Sequence, residues 1–128
     1  MKKIRTLMVD DSREFIEAAN RFLKTDPRVQ VVDCVHDGSQ ALERIEALQP
    51  DLVLLDISMP GVDGLEALSE IRELDDPPKV IILTLYDTAI YRTKAEKYGA
   101  DGFLHKNKFG VDLLPLMHRL FPLDRASQ

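Results

Sequence analysis

A chain of 128 residues, 45% hydrophobic and 30% charged, has the composition of one globular domain and excludes both a second core and disorder as the default. With 17 basic against 22 acidic residues the net charge is −5, so no basic footprint invites nucleic acid, and no direct nucleic-acid binding is expected. The apolar run before Asp10 is far too short for a signal-peptide core or a membrane span, which predicts a cytoplasmic chain without membrane contact.

Ile4 to Val9 is mostly apolar and predicts a central strand that runs directly into Asp10 and Asp11. Ser12 is a good N-cap for a helix with Phe15, Ile16, Ala19, Phe22 and Leu23 at helical spacing, and Asp26 and Pro27 stop it. Val29 to Val35 is a β-branched run and therefore a strand, in which the single cysteine, Cys34, reads as an inert buried thiol. Ser39 to Leu48 places Ala41, Leu42, Ile45 and Leu48 on one helical face before Pro50. Leu52 to Leu55 is an unbroken apolar run of strand length, the signature of a central parallel strand covered on both faces, and it ends on Asp56. That carboxylate is either a cap for the turn through Pro60 and Gly61 or a group placed for chemistry.

Leu65 to Leu74 reads as the next helix, with Leu65, Leu68 and Ile71 on its face and Asp75 to Pro78 as its stop. Lys79 to Leu83 is a buried-type strand ending on Thr84. Asp87 can cap a helix through Tyr98 that is poor in large apolar residues and is expected to pack loosely, with Gly99 as its stop. Asp101 to His105 is a short strand followed by Lys106. A helix beginning at Asp112 would hold Pro115 in its first turn, avoiding the cost of ~3 kcal/mol for an interior proline. Its apolar residues exceed one stripe, so part of that surface is expected to face a partner, and Pro122 ends it.

Strict alternation of strands and helices predicts an α/β fold with a doubly wound five-stranded parallel sheet, flavodoxin-like order 2-1-3-4-5 and helices on both faces. Asp10 with Asp11, Asp56, Thr84 and Lys106 would then meet at the carboxyl edge of the sheet. Singly, each has a plainer reading as a cap, a turn residue or a surface lysine. Four strand ends bearing such residues together favour a site. Crowded carboxylates raise one another's pKa unless a cation neutralises them, and an all-oxygen site suits Mg²⁺. Lys106 and Thr84 add a charge and a hydroxyl for a phosphoryl group, which describes phosphoryl transfer to a carboxylate.

In these motifs the chain resembles the receiver domains of two-component response regulators: Val-Asp-Asp at 9 to 11, Leu-Asp-Ile-Ser-Met-Pro-Gly-Val-Asp-Gly at 55 to 64, Leu-Thr at 83 to 84, and Gly-Ala-Asp-Gly-Phe-Leu-His-Lys at 99 to 106. The resemblance covers essentially the whole chain, with residues 1–122 as the receiver and 123–128 as a polar tail or the start of a linker. It implies that Asp56 is the phosphoacceptor and that Asp11 directly, Asp10 through water and the Ser58 backbone carbonyl complete a Mg²⁺ site with Asp56. It also implies Thr84 and Phe103 as switch residues, Lys106 as the conserved-position lysine, and Ser58 and Tyr86 as residues that modulate access to the phosphoryl group. The implied partners are a sensor histidine kinase or phosphotransfer protein, and a downstream partner or second copy at the surface of the fourth helix, fifth strand and fifth helix. Such a domain is no enzyme in the turnover sense, since it catalyses only its own phosphorylation and dephosphorylation.

The chain departs from the commonest receiver pattern at Asn107, where many have a proline after a cis bond. A cis bond before Asn would cost ~2.5–4 kcal/mol, so a trans bond is expected. Lysine followed by an Asx residue, with Leu-Thr-Leu-Tyr-Asp at 83 to 87, is closest in pattern to receivers of the NarL/FixJ type. Two other readings are a Mg²⁺-dependent phosphatase of the haloacid dehalogenase type and a degenerate receiver acting only as a binding module. The first needs an acid two residues after its nucleophile, where Asp10 has Ser12 and Asp56 has Ser58. The complete residue set argues against the second.

Overall fold

The computed structural model describes residues 2–58, 64–85 and 89–123. Strand β1 (Ile4–Val9) is followed by α1 (Arg13–Leu23), β2 (Val29–Val35), α2 (Ala41–Leu48), β3 (Leu52–Asp56), α3 (Gly64–Arg72), β4 (Lys79–Thr84), α4 (Ala89–Lys97), β5 (Gly102–His105) and α5 (Phe109–Leu120). Short 3₁₀ turns at Gly38–Gln40 and Lys106–Lys108 lead into α2 and α5. All strand pairs are parallel and the order is β2-β1-β3-β4-β5, as the alternation predicts.

The central strands are apolar on both faces because each face has its own core. Leu52 and Leu54 of β3 join Met8, Ile81 and Leu83 beneath α1 and α5, whereas Val53 and Leu55 join Leu7, Val9, Val80 and Ile82 beneath α2 and α3. Adjacent residues thus serve opposite layers, the period-2 geometry of a strand. Cys34 is only half-buried, because β2 is an edge strand, which corrects the expectation of a buried thiol.

Helix ends follow their local chemistry. The Ser12 hydroxyl accepts from the Phe15 N–H at 3.2 Å, the N-cap bond that starts α1. After α4, Gly99 has φ +94°, and the Gly99 and Ala100 N–H groups donate back to the carbonyls of Glu96 and Ala95 at 3.1 and 2.9 Å, a glycine-dependent C-terminal stop. The cap expected at Asp87 lies outside the described residues. Of the nine residues of α4 only Ala95 is buried, consistent with a lightly held helix.

Helix α5 begins three residues before the expected Asp112, so Pro115 lies inside it. Two features outweigh the local cost. Phe109, the first residue, is buried between the rings of Phe15 and Phe22, at centroid distances of 5.1 and 5.5 Å. Pro115 and Val111, whose carbonyl loses its partner, lie on the exposed face where water can serve that oxygen. The extra apolar residues of α5 are mostly spent inward, since Leu114, Leu120 and Phe121 pack against the core. Among the described residues, the exposed large apolar side chains are Val111 in α5 and Leu85, Ile90, Tyr91 and Tyr98 outside it, with Leu123 beyond the helix.

Candidate functional site

The register brings the acids together. Val9 pairs with Leu55, so Asp10 and Asp56 leave neighbouring strands side by side, and Asp56 in turn pairs with Leu83 just before Thr84. Asp10, Asp56 and Thr84 are buried, at 0%, 1% and 1% exposure, while Asp11 is exposed. Oxygens of Asp10, Asp11 and Asp56 lie within 4.8 Å of one another.

Each buried carboxylate is oriented through the residue two places on. The Ser12 N–H donates to Asp10 Oδ1 at 2.8 Å and the Ser58 N–H to Asp56 Oδ1 at 2.7 Å. Lys106 then bridges the free edges, with Nζ 2.7 Å from Asp10 Oδ2 and 3.1 Å from Asp56 Oδ2. Its side chain is only 7% exposed. The shorter approach is to Asp10, whose Oδ2 has the Lys106 ammonium as its close partner in a fully buried position. Burial pushes the Asp10 carboxyl above its ordinary pKa and the Asp56 charge adds to this, against the opposing pull of Lys106 and the Ser12 N–H.

Those features fit a divalent cation. The donors are hard oxygens, two of the three carboxylates are buried, and they share a single ammonium between them. Among the described residues, Asp10, Asp11 and Asp56 are the groups whose oxygens lie close enough together to hold such an ion.

The Lys106–Asn107 bond is trans, as expected. Asn107 uses an N–H that proline would lack, donating to His105 Nδ1 at 3.0 Å and thereby capping the 3₁₀ turn that carries Lys106. Lys106 reaches the acids without the proline of the commonest pattern. Ser58 does more than leave space. Its hydroxyl accepts from the Leu85 N–H at 3.3 Å, tying the β3 loop to the end of β4. Gly64, at the start of α3, is also required, since a Cβ there would meet Ile57 side-chain and backbone atoms at 2.5–2.8 Å. Phe103 lies half-buried on β5, with the Arg92 guanidinium 4.6 Å from its ring centroid. Tyr86 lies outside the described residues. Helical spacing places Phe15 on the apolar face of α1 and does not signal its second contact, with Lys106 Nζ 4.5 Å from its ring centroid.

Fold and site together define a doubly wound α/β domain with an acidic pocket and a buried lysine at the carboxyl edge of its sheet. The family model described as the response regulator receiver domain matches residues 6–116. The chain is 38% identical over 104 residues to the transcriptional regulatory protein DegU of Brevibacillus brevis, covering 81% of this chain and 44% of that protein. It is 34% identical over 113 residues to the nitrate/nitrite response regulator protein NarL of Escherichia coli K12, covering 88% and 52%. The signal receiver domain of the response regulator NarL from Mycobacterium tuberculosis superimposes with a TM-score of 0.80 at 34% identity, over 90% of this chain and 96% of that one. The chain belongs to the response regulator receiver domain family and is a module of two-component signalling. It spans about half the length of these two curated relatives.

Proposed function

We propose that Asp56 is the phosphoacceptor and that the chain receives its phosphoryl group from the phosphohistidine of a sensor histidine kinase or phosphotransfer protein. The observation that carries this reading is the Lys106 ammonium seated between Asp10 and Asp56 in a pocket of oxygen donors. An Asp56 carboxylate oxygen attacks phosphorus in line, the P–N bond of the donor breaks, and its electron pair leaves with the imidazole. Lys106 neutralises charge on the transferring group, at an ammonium already desolvated by its neighbours. Asp10, Asp11, Asp56 and the Ser58 carbonyl would hold Mg²⁺, which when bound would supply further neutralisation of charge on the transferring group.

Readout runs through Thr84 and Phe103. A phosphoryl group on Asp56 attracts the Thr84 hydroxyl from the neighbouring strand end, and the space it vacates admits Phe103. Inward rotation of Phe103 would break its contact with Arg92 and so alter the α4–β5–α5 surface. A groove of about 290 Å³ is lined there by Arg92, Phe103, His105, Lys108 and Arg119 among others, and Leu85, Ile90, Tyr91 and Val111 are exposed around this face. A downstream partner or second copy docks on it. Residues 1–122 form the receiver and 123–128 its tail or linker. No described helix is long and apolar enough to cross a membrane, in keeping with a cytoplasmic location. Ser58 and Tyr86 modulate the approach of water to the acyl phosphate, so Tyr86→Ala should shorten its lifetime.

The test is intact-mass measurement after incubation with acetyl phosphate and Mg²⁺. One phosphoryl group should be added to the wild type and none to Asp56→Asn. Full labelling of Asp56→Asn would overturn the assignment, and continuous turnover of a small phosphate ester would favour a phosphatase.

A further inference from the structure

We propose that Phe15 is a positioning residue that holds Lys106 in the geometry needed for phosphoryl transfer; this rests on the assignment of Asp56 as phosphoacceptor. Lysine is a poor element of a preorganised site, since its flexible four-carbon stem lets the ammonium wander and that freedom must be lost before it can stabilise a transition state. In this chain the residue after Lys106 is Asn107, with a trans bond, so no proline ring stiffens the backbone at that point. The restraint on the side chain comes from elsewhere.

The Lys106 ammonium contacts carboxylates at Asp10 and Asp56, and its third neighbour is the ring of Phe15 at 4.5 Å. The negative face of the Phe15 ring attracts a cation that is almost fully withdrawn from water, where such a contact is strongest. Its placement follows from helix geometry. Phe15 takes the third helical position after the Ser12 cap, and helical side chains lean toward the N-terminus, which here is the end that meets the acids. The ring is itself fixed. Phe109 packs edge-on against it at 5.1 Å with an interplanar angle of 81°, and Phe22 backs Phe109 at 5.5 Å. Phe109 opens α5 only three residues after Lys106, so the same aromatic group anchors the ammonium and the backbone that carries it. An aliphatic residue at position 15 could fill the space but could not attract the cation.

Four measurements separate positioning from packing. Phe15→Leu should label on Asp56 with acetyl phosphate and Mg²⁺ roughly tenfold to thirtyfold more slowly than wild type, the range expected for a desolvated cation–π contact. Phe15→Tyr should restore most of the rate. Replacing Phe15 by mono-, di- and trifluorinated phenylalanine keeps the shape and withdraws ring electron density, so the rate should fall stepwise along the series even if Phe15→Leu folds poorly. In the metal-free protein the Lys106 ε-methylene protons should resonate upfield under the ring current, and Phe15→Leu should abolish that displacement. A wild-type rate in Phe15→Leu, a flat fluorinated series, or Lys106 protons at ordinary positions would each overturn the proposal. Absence of label on the wild type would instead overturn the Asp56 assignment, and with it the reaction that Phe15 serves.

Discussion

Two buried aspartates at different ends of the molecule are treated oppositely by the fold. Asp10, at the carboxyl edge of the sheet, is 0% exposed, and burial raises its pKa despite Lys106. Asp26, in the turn between α1 and β2, is 8% exposed and has a lowered pKa. Burial opposes ionisation there too, but it is outweighed by the Arg28 N–H, which donates to Oδ1 at 2.8 Å, and by the hydrogen bond and charge of His118, whose Nε2 lies 2.6 Å from Oδ2. Nearby, Arg28 also donates to the Phe121 carbonyl, fastening the end of α5 to the same turn. Asp26 has the satisfied partners of a structural carboxylate. Asp10 shares its one cationic partner, Lys106, with a second buried acid, an arrangement that costs the fold and makes sense where a further cation is to be received.

The largest effect that could break this contrast is on labelling. Asp10→Asn should weaken Mg²⁺ binding and slow labelling of Asp56 by acetyl phosphate by about 10-fold or more, the scale of losing one charged stabilising group, whereas Asp26→Asn should leave the labelling rate within about twofold. Equal losses in both variants would end the distinction.

Next comes stability, where the order should reverse. Asp26→Ala leaves the Arg28 N–H without its acceptor and should cost about 1–3 kcal/mol in denaturant unfolding. In metal-free protein Asp10→Asn should be neutral or stabilising, with a rise of a few °C in Tm if the gain is about 1 kcal/mol. A marked destabilisation by Asp10→Asn would make Asp10 a structural residue as well.

Acid titration sharpens the same point. A carboxylate with a depressed folded pKa contributes stability that is fully present above its unfolded pKa, about 3.9, and is lost as pH falls through the lower folded value. Asp26 should therefore add to acid unfolding below about pH 4, and Asp26→Asn should flatten that limb. Asp10 has the opposite sign: its folded pKa is raised, so the stability linked to its protonated form is present below the ordinary value and lost as pH rises through the raised one. The metal-free wild type should gain less than Asp10→Asn as pH increases over that window. A parallel pair of stability curves would refute the assignment for Asp10.

The smallest expected effect is at His118. Its side chain is 49% exposed, so solvent screens the pair, and His118→Gln should cost under about 1 kcal/mol. A loss as large as that of Asp26→Ala would mean that His118, and not the Arg28 N–H, is the main support of Asp26.

What the linear chain determined is the part written in periodicity and punctuation. The apolar runs at Ile4 to Val9, Leu52 to Leu55 and Lys79 to Leu83, each ending on a polar residue, were enough to specify a parallel sheet with Asp10, Asp56 and Thr84 at one edge, because strand direction and crossover handedness leave little choice of topology. Ser12 and Gly99 marked helix ends because capping is a local interaction. Tertiary structure decided the rest. The start of α5 at Phe109 rather than Asp112 came from burial of a ring between Phe15 and Phe22, which outweighed a local proline penalty. The Asp26–His118 pair spans 92 positions and the Lys106–Asp56 pair 50. The contact of Lys106 with Phe15 likewise joins the first helix to the turn after the last strand. No spacing announces such pairs, since a side chain's reach in space depends on which elements the core has already drawn together.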